Sequence, residues 1–68
     1  MATTNDASGY VKWAVGMAEG DVENHRPPGI TLRVTERDGA HPMVTQDYRR
    51  DRLNLRIRDG RVFEAYVG

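Results

Sequence analysis

The sequence predicts a small α+β domain in which one short helix packs on a three-stranded sheet, with a long exposed loop between the first two strands. Two segments alternate apolar and polar residues with the period of a half-buried strand, and a third such segment follows an Asp-Gly pair. An acidic segment ahead of the strands is typical of a helix start, and Pro27-Pro28-Gly29 ends it. A chain of 68 residues has room for a single core.

The amino-terminal part divides into a tail and a helix. Residues 1–9 are small and polar, so we expect a disordered tail there and a single domain over residues 10–68. The helix is predicted over residues 18–25, where the acidic side chains come early and interact favourably with the positive end of the helix dipole. Gly20 weakens this helix by about 1 kcal/mol relative to alanine.

The strands are predicted over residues 30–35, 52–58 and 61–67. Asp59-Gly60 lies between the last two and is a strong hairpin signal, because both turn positions favour positive φ. The connection between the first two strands, from Glu36 to Tyr48, is polar and long for so small a domain, which is typical of a functional loop. The apolar residues expected to face the core are Ile30, Leu32, Val34, Leu53, Leu55, Ile57, Phe63, Ala65 and Val67.

The composition excludes several classes of protein. The chain has no cysteine, so it has no disulfide framework, no thiolate metal site and no cysteine nucleophile. Its ten basic and ten acidic residues balance, and no apolar run approaches the roughly 18 residues of a membrane span. No secretory signal is recognisable at the amino terminus. We therefore expect a cytoplasmic monomer that does not bind membranes.

Catalytic chemistry is not indicated. His25 and His41 each lie beside a proline-containing turn without a nucleophile motif near them, and no glycine-rich phosphate loop precedes a helix. The sequence predicts a protein that is not an enzyme and that has no metal site and no cofactor.

Arginines are concentrated between Arg49 and Arg61, a segment that holds six arginines and two aspartates. Such a cluster could bind the phosphates of a nucleic acid, or it could form the solvated outer face of the sheet. The balanced overall charge and the absence of interleaved aromatic residues on that face favour the second interpretation, and we expect no nucleic-acid partner.

The loop itself shows a regular spacing of acceptors and donors. Thr45 and Asp47 are two residues apart and point the same way if the segment is extended. Arg52 and Asn54 have the same spacing on one face of the following strand. A guanidinium group carries five donors in a rigid fork, so Arg52 can hold a loop that folds back over this strand. Gln46 is then displayed outward.

The run from Val44 to Leu55, Val-Thr-Gln-Asp-Tyr-Arg-Arg-Asp-Arg-Leu-Asn-Leu, resembles the reactive-loop segment of the potato inhibitor I family, which includes eglin. Its Asp-Tyr-Arg-x-Asp-Arg-Leu-Asn form is most similar to the bacterial relatives of that family. The resemblance continues through Asp59-Gly60 to Val67-Gly68, and Trp13-Ala14-Val15-Gly16 is similar to a shortened form of the family's amino-terminal element.

This resemblance implies a serine-protease inhibitor that presents a substrate-like loop to a subtilisin-like or chymotrypsin-like enzyme. It makes Gln46-Asp47 the reactive-site bond, with Gln46 as the specificity residue. The implied protease contacts are Val44, Thr45, Tyr48 and Arg49. The implied loop supports are Arg52, the principal donor, and Asn54.

Two other functions stay open at this stage. The chain could be a small protein-interaction domain that keeps this fold without inhibiting proteases, because glutamine is an uncommon specificity residue. It could also bind nucleic acid through the arginine-rich face.

Overall fold

The computed structural model describes residues 6–68, and its mixed three-stranded sheet with short helices confirms the predicted small α+β fold. A 3-10 helix at the amino end runs directly into the first α-helix. The elements are the 3-10 helix Ala7–Tyr10, α1 Val11–Ala14, α2 Glu19–Asn24, β1 Thr31–Arg37, β2 Arg52–Arg58 and β3 Arg61–Val67.

The amino-terminal segment takes part in the domain earlier than the sequence predicts. The helix expected over residues 18–25 is present as α2, but the tail expected over residues 1–9 ends sooner, because Ala7 begins a 3-10 helix and is fully buried. Its N–H donates to the carbonyl oxygen of Arg50 at 2.7 Å. The sequence does not indicate this burial, because a hydropathy pattern detects bulky apolar residues, whereas the small side chain of Ala7 is buried where two backbone segments approach closely. Residues 1–5 of the predicted tail lie outside the described residues.

The strand order is β1-β2-β3, with β2 parallel to β1 and antiparallel to β3. Parallel neighbours cannot be joined by a tight turn, so the chain has to return over the sheet between β1 and β2, and this return is the long loop. The β2–β3 connection is the predicted hairpin: Asp59 and Gly60 have φ angles of 52° and 75°. Within the described residues, no helix has the length and apolar character needed to cross a bilayer.

The core lies between the inner face of the sheet and the helical segments. Leu53, Leu55 and Ile57 of β2 are buried as predicted. Leu32, Val34 and Val67 are partly buried and pack against the core. Its buried apolar members are Ala7, Ala14, Val22, Ile30, Leu53, Leu55, Ile57, Val62 and Ala65.

Phe63 is an exception, and its predicted place in the core is wrong. Arg56 pairs with Glu64 and Ile57 with Val62, so Phe63 is left without a partner in a β-bulge. A bulge inserts one residue and reverses the alternation of side chains, which turns Val62 inward and Phe63 outward. Phe63 is accordingly 36 % exposed.

A similar irregularity in β1 decides where Glu36 lies. Val34 pairs with Leu55 and Glu36 with Arg56, so Thr35 is skipped in the register. The skipped residue brings Glu36 onto the outer face, opposite an arginine of the central strand. Glu36 is only 4 % exposed there.

Candidate functional site

The loop between β1 and β2 is an exposed segment without regular secondary structure. An Asp38-Gly39 turn closes the end of β1, with backbone hydrogen bonds in both directions between Arg37 and Ala40. Residues 41–49 then run without helix or strand, and residues 41–50 are all exposed. Met43 is fully exposed and Tyr48 largely so, whereas Val44 is at the border of exposure.

The carboxyl end of the loop is attached to the rest of the domain by the backbone. The N–H of Ala7 donates to Arg50, and the N–H of Arg52 donates to the carbonyl oxygen of Arg49 at 3.2 Å. The Arg49 guanidinium forms an ion pair with Asp51 at 2.9 Å. The hydrogen bonds from Arg49 lower the pKa of Asp51. They also engage the side chain of Arg49, for which the family resemblance implies a contact with the protease.

Arg52 holds the loop just after Gln46, as the sequence predicts. Its Nη2 donates to the backbone carbonyl oxygen of Asp47 at 2.7 Å, and the Asp47 carboxylate lies 3.4 Å away. Its Nε and Nη2 also donate to the carbonyl oxygen of Gly68, at 2.9 and 2.8 Å. Arg52 itself is only 7 % exposed, whereas the Asp47 side chain is 54 % exposed. Thr45, the acceptor before Gln46, is held by a different residue.

That residue is Arg33, for which the sequence predicts no contact with the loop. Its Nη1 donates to the Thr45 carbonyl oxygen at 3.3 Å and to the Thr45 hydroxyl at 3.2 Å. Arg33 lies on β1 between two inward-facing apolar residues, so its outward direction could be read from the alternation of the strand. The proximity of Arg33 to the loop could not be predicted from this alternation, because it depends on which strand pairs with β1.

Asn54, the second predicted support, acts on an arginine and not on the loop. Its Oδ1 accepts a hydrogen bond from Arg33 Nε at 2.7 Å, and the two residues are register partners in the β1–β2 ladder. Asn54 is fully buried, and a Cβ atom added to Gly68 would lie 2.9 Å from its Nδ2. A side chain at residue 68 would therefore force this buried amide to shift.

Gln46 lies between the two arginine-held positions and is exposed. The carbonyl oxygens of its neighbours, Thr45 and Asp47, each accept a hydrogen bond from the sheet, one from Arg33 and one from Arg52. The Thr45 hydroxyl, hydrogen-bonded to the Asp47 carboxyl group, lowers the pKa of Asp47, and the charge of Arg52 lowers it further. Both acceptor side chains therefore turn towards the sheet, and Gln46 turns to solvent, as the two-residue spacing predicts.

The loop is held by side-chain hydrogen bonds more than by apolar packing. A space of about 340 Å³ lies between it and the outer face of the sheet, lined in part by Arg33, Asn54 and Tyr66. The guanidinium group of Arg33 lines this space and reaches the loop backbone at Thr45, so the backbone is supported while its outer side stays open.

The other arginines of the outer face are largely engaged within the molecule. Arg56 Nε donates to Glu36 at 2.8 Å and Arg56 Nη1 to Glu64 at 2.6 Å. Arg58 lies 4.3 Å above the ring of Phe63, at cation–π distance. The hydrogen bond from Arg56 lowers the pKa of Glu36. These contacts favour a structural role for this part of the arginine cluster over phosphate binding.

The histidines lie apart from these contacts. His25 ends α2 with its Nδ1 at 3.2 Å from the Asp21 carbonyl oxygen, and His41 lies 4.0 Å from Glu36 at the start of the loop. Across residues 6–68 no three acidic or histidine side chains converge to hold a metal ion.

Compared with known proteins, the chain matches no family model, no curated protein and no solved structure at a significant level. The relation to the potato inhibitor I family thus remains a prediction that depends on the loop motif.

Proposed function

We propose that this chain inhibits serine proteases of the subtilisin-like or chymotrypsin-like type through its exposed loop, with Gln46-Asp47 as the reactive-site bond. One observation carries the proposal: the backbone carbonyls on both sides of Gln46 are held from the sheet by guanidinium groups, while Gln46 itself is exposed. The motif from Val44 to Leu55, which resembles the reactive loop of the potato inhibitor I family, supports the same assignment.

A supported loop binds a protease at low entropic cost. Proteases accept their substrates as extended peptides, and ordering a flexible peptide reduces the affinity. Here the backbone at Thr45 and Asp47 is already held before binding. The exposed side chains of Met43, Gln46 and Tyr48 are then available to the subsites of the enzyme.

The same support explains how a substrate-like loop resists turnover. Attack of the protease's serine on the Gln46 carbonyl carbon forms an acyl-enzyme and releases the amino group of Asp47. Arg52 holds Asp47 by its carbonyl oxygen, so the new amino group stays beside the ester at a high effective concentration. The peptide bond forms again faster than water hydrolyses the ester. The arginine contacts thereby serve the purpose that disulfides serve in other small inhibitors.

The direct test is a titration of subtilisin and of chymotrypsin with the purified protein. The proposal predicts a stoichiometric loss of activity with at least one of the two enzymes. Rapid cleavage of the chain, or no effect on either enzyme, would contradict it and favour a non-inhibitory interaction domain of the same fold. Salt-dependent retention on heparin or DNA without inhibition would favour the nucleic-acid alternative.

Specificity provides the first prediction. Gln46→Leu is expected to strengthen inhibition of these enzymes by about tenfold, because burying an amide without full hydrogen bonding costs about 1–3 kcal/mol whereas an apolar side chain gains from burial. Inhibition constants of the parent and the variant, measured with the same enzyme, check this.

An unchanged inhibition constant for Gln46→Leu would show that another residue enters the primary pocket. Met43, three residues earlier and fully exposed, is the alternative contact. The matched variant is then Met43→Ala, which leaves inhibition nearly unchanged if Gln46 is the specificity residue and abolishes most of it if Met43 is.

A further inference from the structure

Arg33 contacts three separate parts of the chain with one guanidinium group. Nη1 donates to the carbonyl and hydroxyl oxygens of Thr45, at 3.3 and 3.2 Å, and Nε donates to Asn54 Oδ1 at 2.7 Å. Nη2 donates to the carbonyl oxygen of Gly68 at 3.4 Å. The shortest of these bonds is to the buried Asn54, and the bonds to Thr45 are the ones that reach the loop.

Acceptors on the sheet side, Asn54 and Gly68, orient the guanidinium group of Arg33. Asn54 lies opposite Arg33 in the β1–β2 register and is fully buried, so packing limits the movement of its amide, although its Nδ2 has no hydrogen-bond partner among the described residues. Gly68 accepts from Arg33 and from Arg52, which places the two guanidinium groups beside a common acceptor. A planar fork held at two of its nitrogens has little rotamer freedom left to lose when its third nitrogen binds the loop.

We propose that Arg33, oriented by Asn54, is a positioning residue of the reactive loop that holds the acyl side of the bond, while Arg52 holds the leaving side. This inference rests on the proposed inhibitor function. It divides the support by position: Arg33 contacts the residue before Gln46, and Arg52 contacts the residue after it. Both arginines hold the loop before attack. Once the acyl side is joined to the enzyme covalently, the contact of Arg33 matters less, whereas Arg52 still holds the released Asp47.

The division predicts different effects for the two arginines. Arg33→Ala is expected to weaken inhibition by about tenfold, the effect of losing one charge-assisted contact, with a smaller change in the rate at which the Gln46-Asp47 bond is hydrolysed. Arg37→Ala is the matched control, because Arg37 lies on the same strand and pairs with Glu19 instead of the loop. If Arg33 served only to stabilise the fold, its loss would lower the unfolding temperature and would change the inhibition constant and the hydrolysis rate together.

A second readout does not depend on inhibition. Thermolysin, a metalloprotease, cuts flexible loops beside apolar residues such as Met43 and Tyr48, and mass spectrometry locates the cut. Arg33→Ala is expected to be cut within residues 42–48 about tenfold faster than the parent, at a temperature well below the unfolding temperatures of all the variants compared. Arg33→Lys, which keeps the charge but lacks the planar fork, is expected to be cut nearly as fast as Arg33→Ala.

The inference is overturned if Arg33→Ala and Arg37→Ala are cut by thermolysin at the same rate, or if Arg33→Lys restores the parent's resistance in full. Its failure is distinct from that of the proposed function. A parent that inhibits no serine protease removes the function, whereas an Arg33→Ala variant that inhibits as well as the parent removes only the role of Arg33.

Discussion

Replacing Arg52 with alanine is expected to leave the protein folded and to increase the rate of hydrolysis at Gln46-Asp47 by about 100-fold, the effect of losing the charge-assisted hydrogen bond and the ion pair that Arg52 makes with Asp47. The three hydrogen bonds removed go to the carbonyl oxygens of Asp47 and Gly68. Both acceptors lie near the edge of the domain and can bind water in the variant, so the loss of stability should be only about 1–3 kcal/mol. The released amino group then drifts away from the acyl-enzyme. Timed digestion with subtilisin, followed by mass spectrometry, measures the rate.

Arg58→Ala is the control of equal charge for this experiment. Arg58 lies on the same strand, is 61 % exposed in its side chain and approaches Glu36 to only 3.8 Å. Its loss should leave the cleavage rate within about twofold of the parent. If Arg52→Ala and Arg58→Ala are both cut at the parent's rate, the arginine does not hold the loop and the inhibitor mechanism fails.

Arg56→Ala is expected to have the opposite profile, with a large loss of stability and no change at the loop. Arg56 pairs with Glu36 on one neighbouring strand and Glu64 on the other, so it joins all three strands on the outer face. Removing it leaves the carboxylate of Glu36 buried without its main partner. We expect the unfolding temperature at pH 7 to fall by about 10 °C. Thermal unfolding followed by circular dichroism measures the effect.

The double variant Glu36→Gln with Arg56→Ala distinguishes two causes of this loss of stability, the unpaired carboxylate of Glu36 and the lost packing of Arg56. If the uncompensated carboxylate is responsible, replacing it with the neutral amide restores part of the unfolding temperature. No recovery would show that packing of the Arg56 side chain over Phe63 is the larger contribution. In either variant, hydrolysis at Gln46-Asp47 well below the unfolding temperature should match that of the parent.

Local patterns in the sequence were sufficient to predict the strands, the hairpin and one loop support. The alternation in β2 places Leu53, Leu55 and Ile57 inward because the extra residues of both register shifts lie on β1 and β3, not on β2. Asp59-Gly60 is a turn because few other residue pairs accept positive φ at both positions. Arg52 could be predicted to reach Asp47 because only four residues separate them along the chain.

Features that depend on the pairing of distant segments could not be predicted in this way. The bulge that exposes Phe63 arises from the register between β2 and β3, which a period of two cannot reveal. Arg33 reaches Thr45 only because β1 lies parallel to β2, so that the loop between them returns over the outer face of the sheet, where Arg33 lies. The burial of Ala7 depends on a backbone contact to Arg50, which no side-chain pattern indicates.

Resynthesis of the Gln46-Asp47 bond tests most directly the claim that a supported loop makes this chain an inhibitor. The protein cleaved at this bond is purified and incubated with a catalytic amount of subtilisin, and mass spectrometry follows the gain of an intact chain by loss of one water. The two fragments carry β1 and β2, which pair with each other, so they stay associated after cleavage. We predict that intact protein reappears and reaches a stable ratio to the cleaved form, and that Arg52→Ala restores far less of it. Cleaved parent protein that stays cleaved, under conditions where subtilisin remains active, would contradict the account.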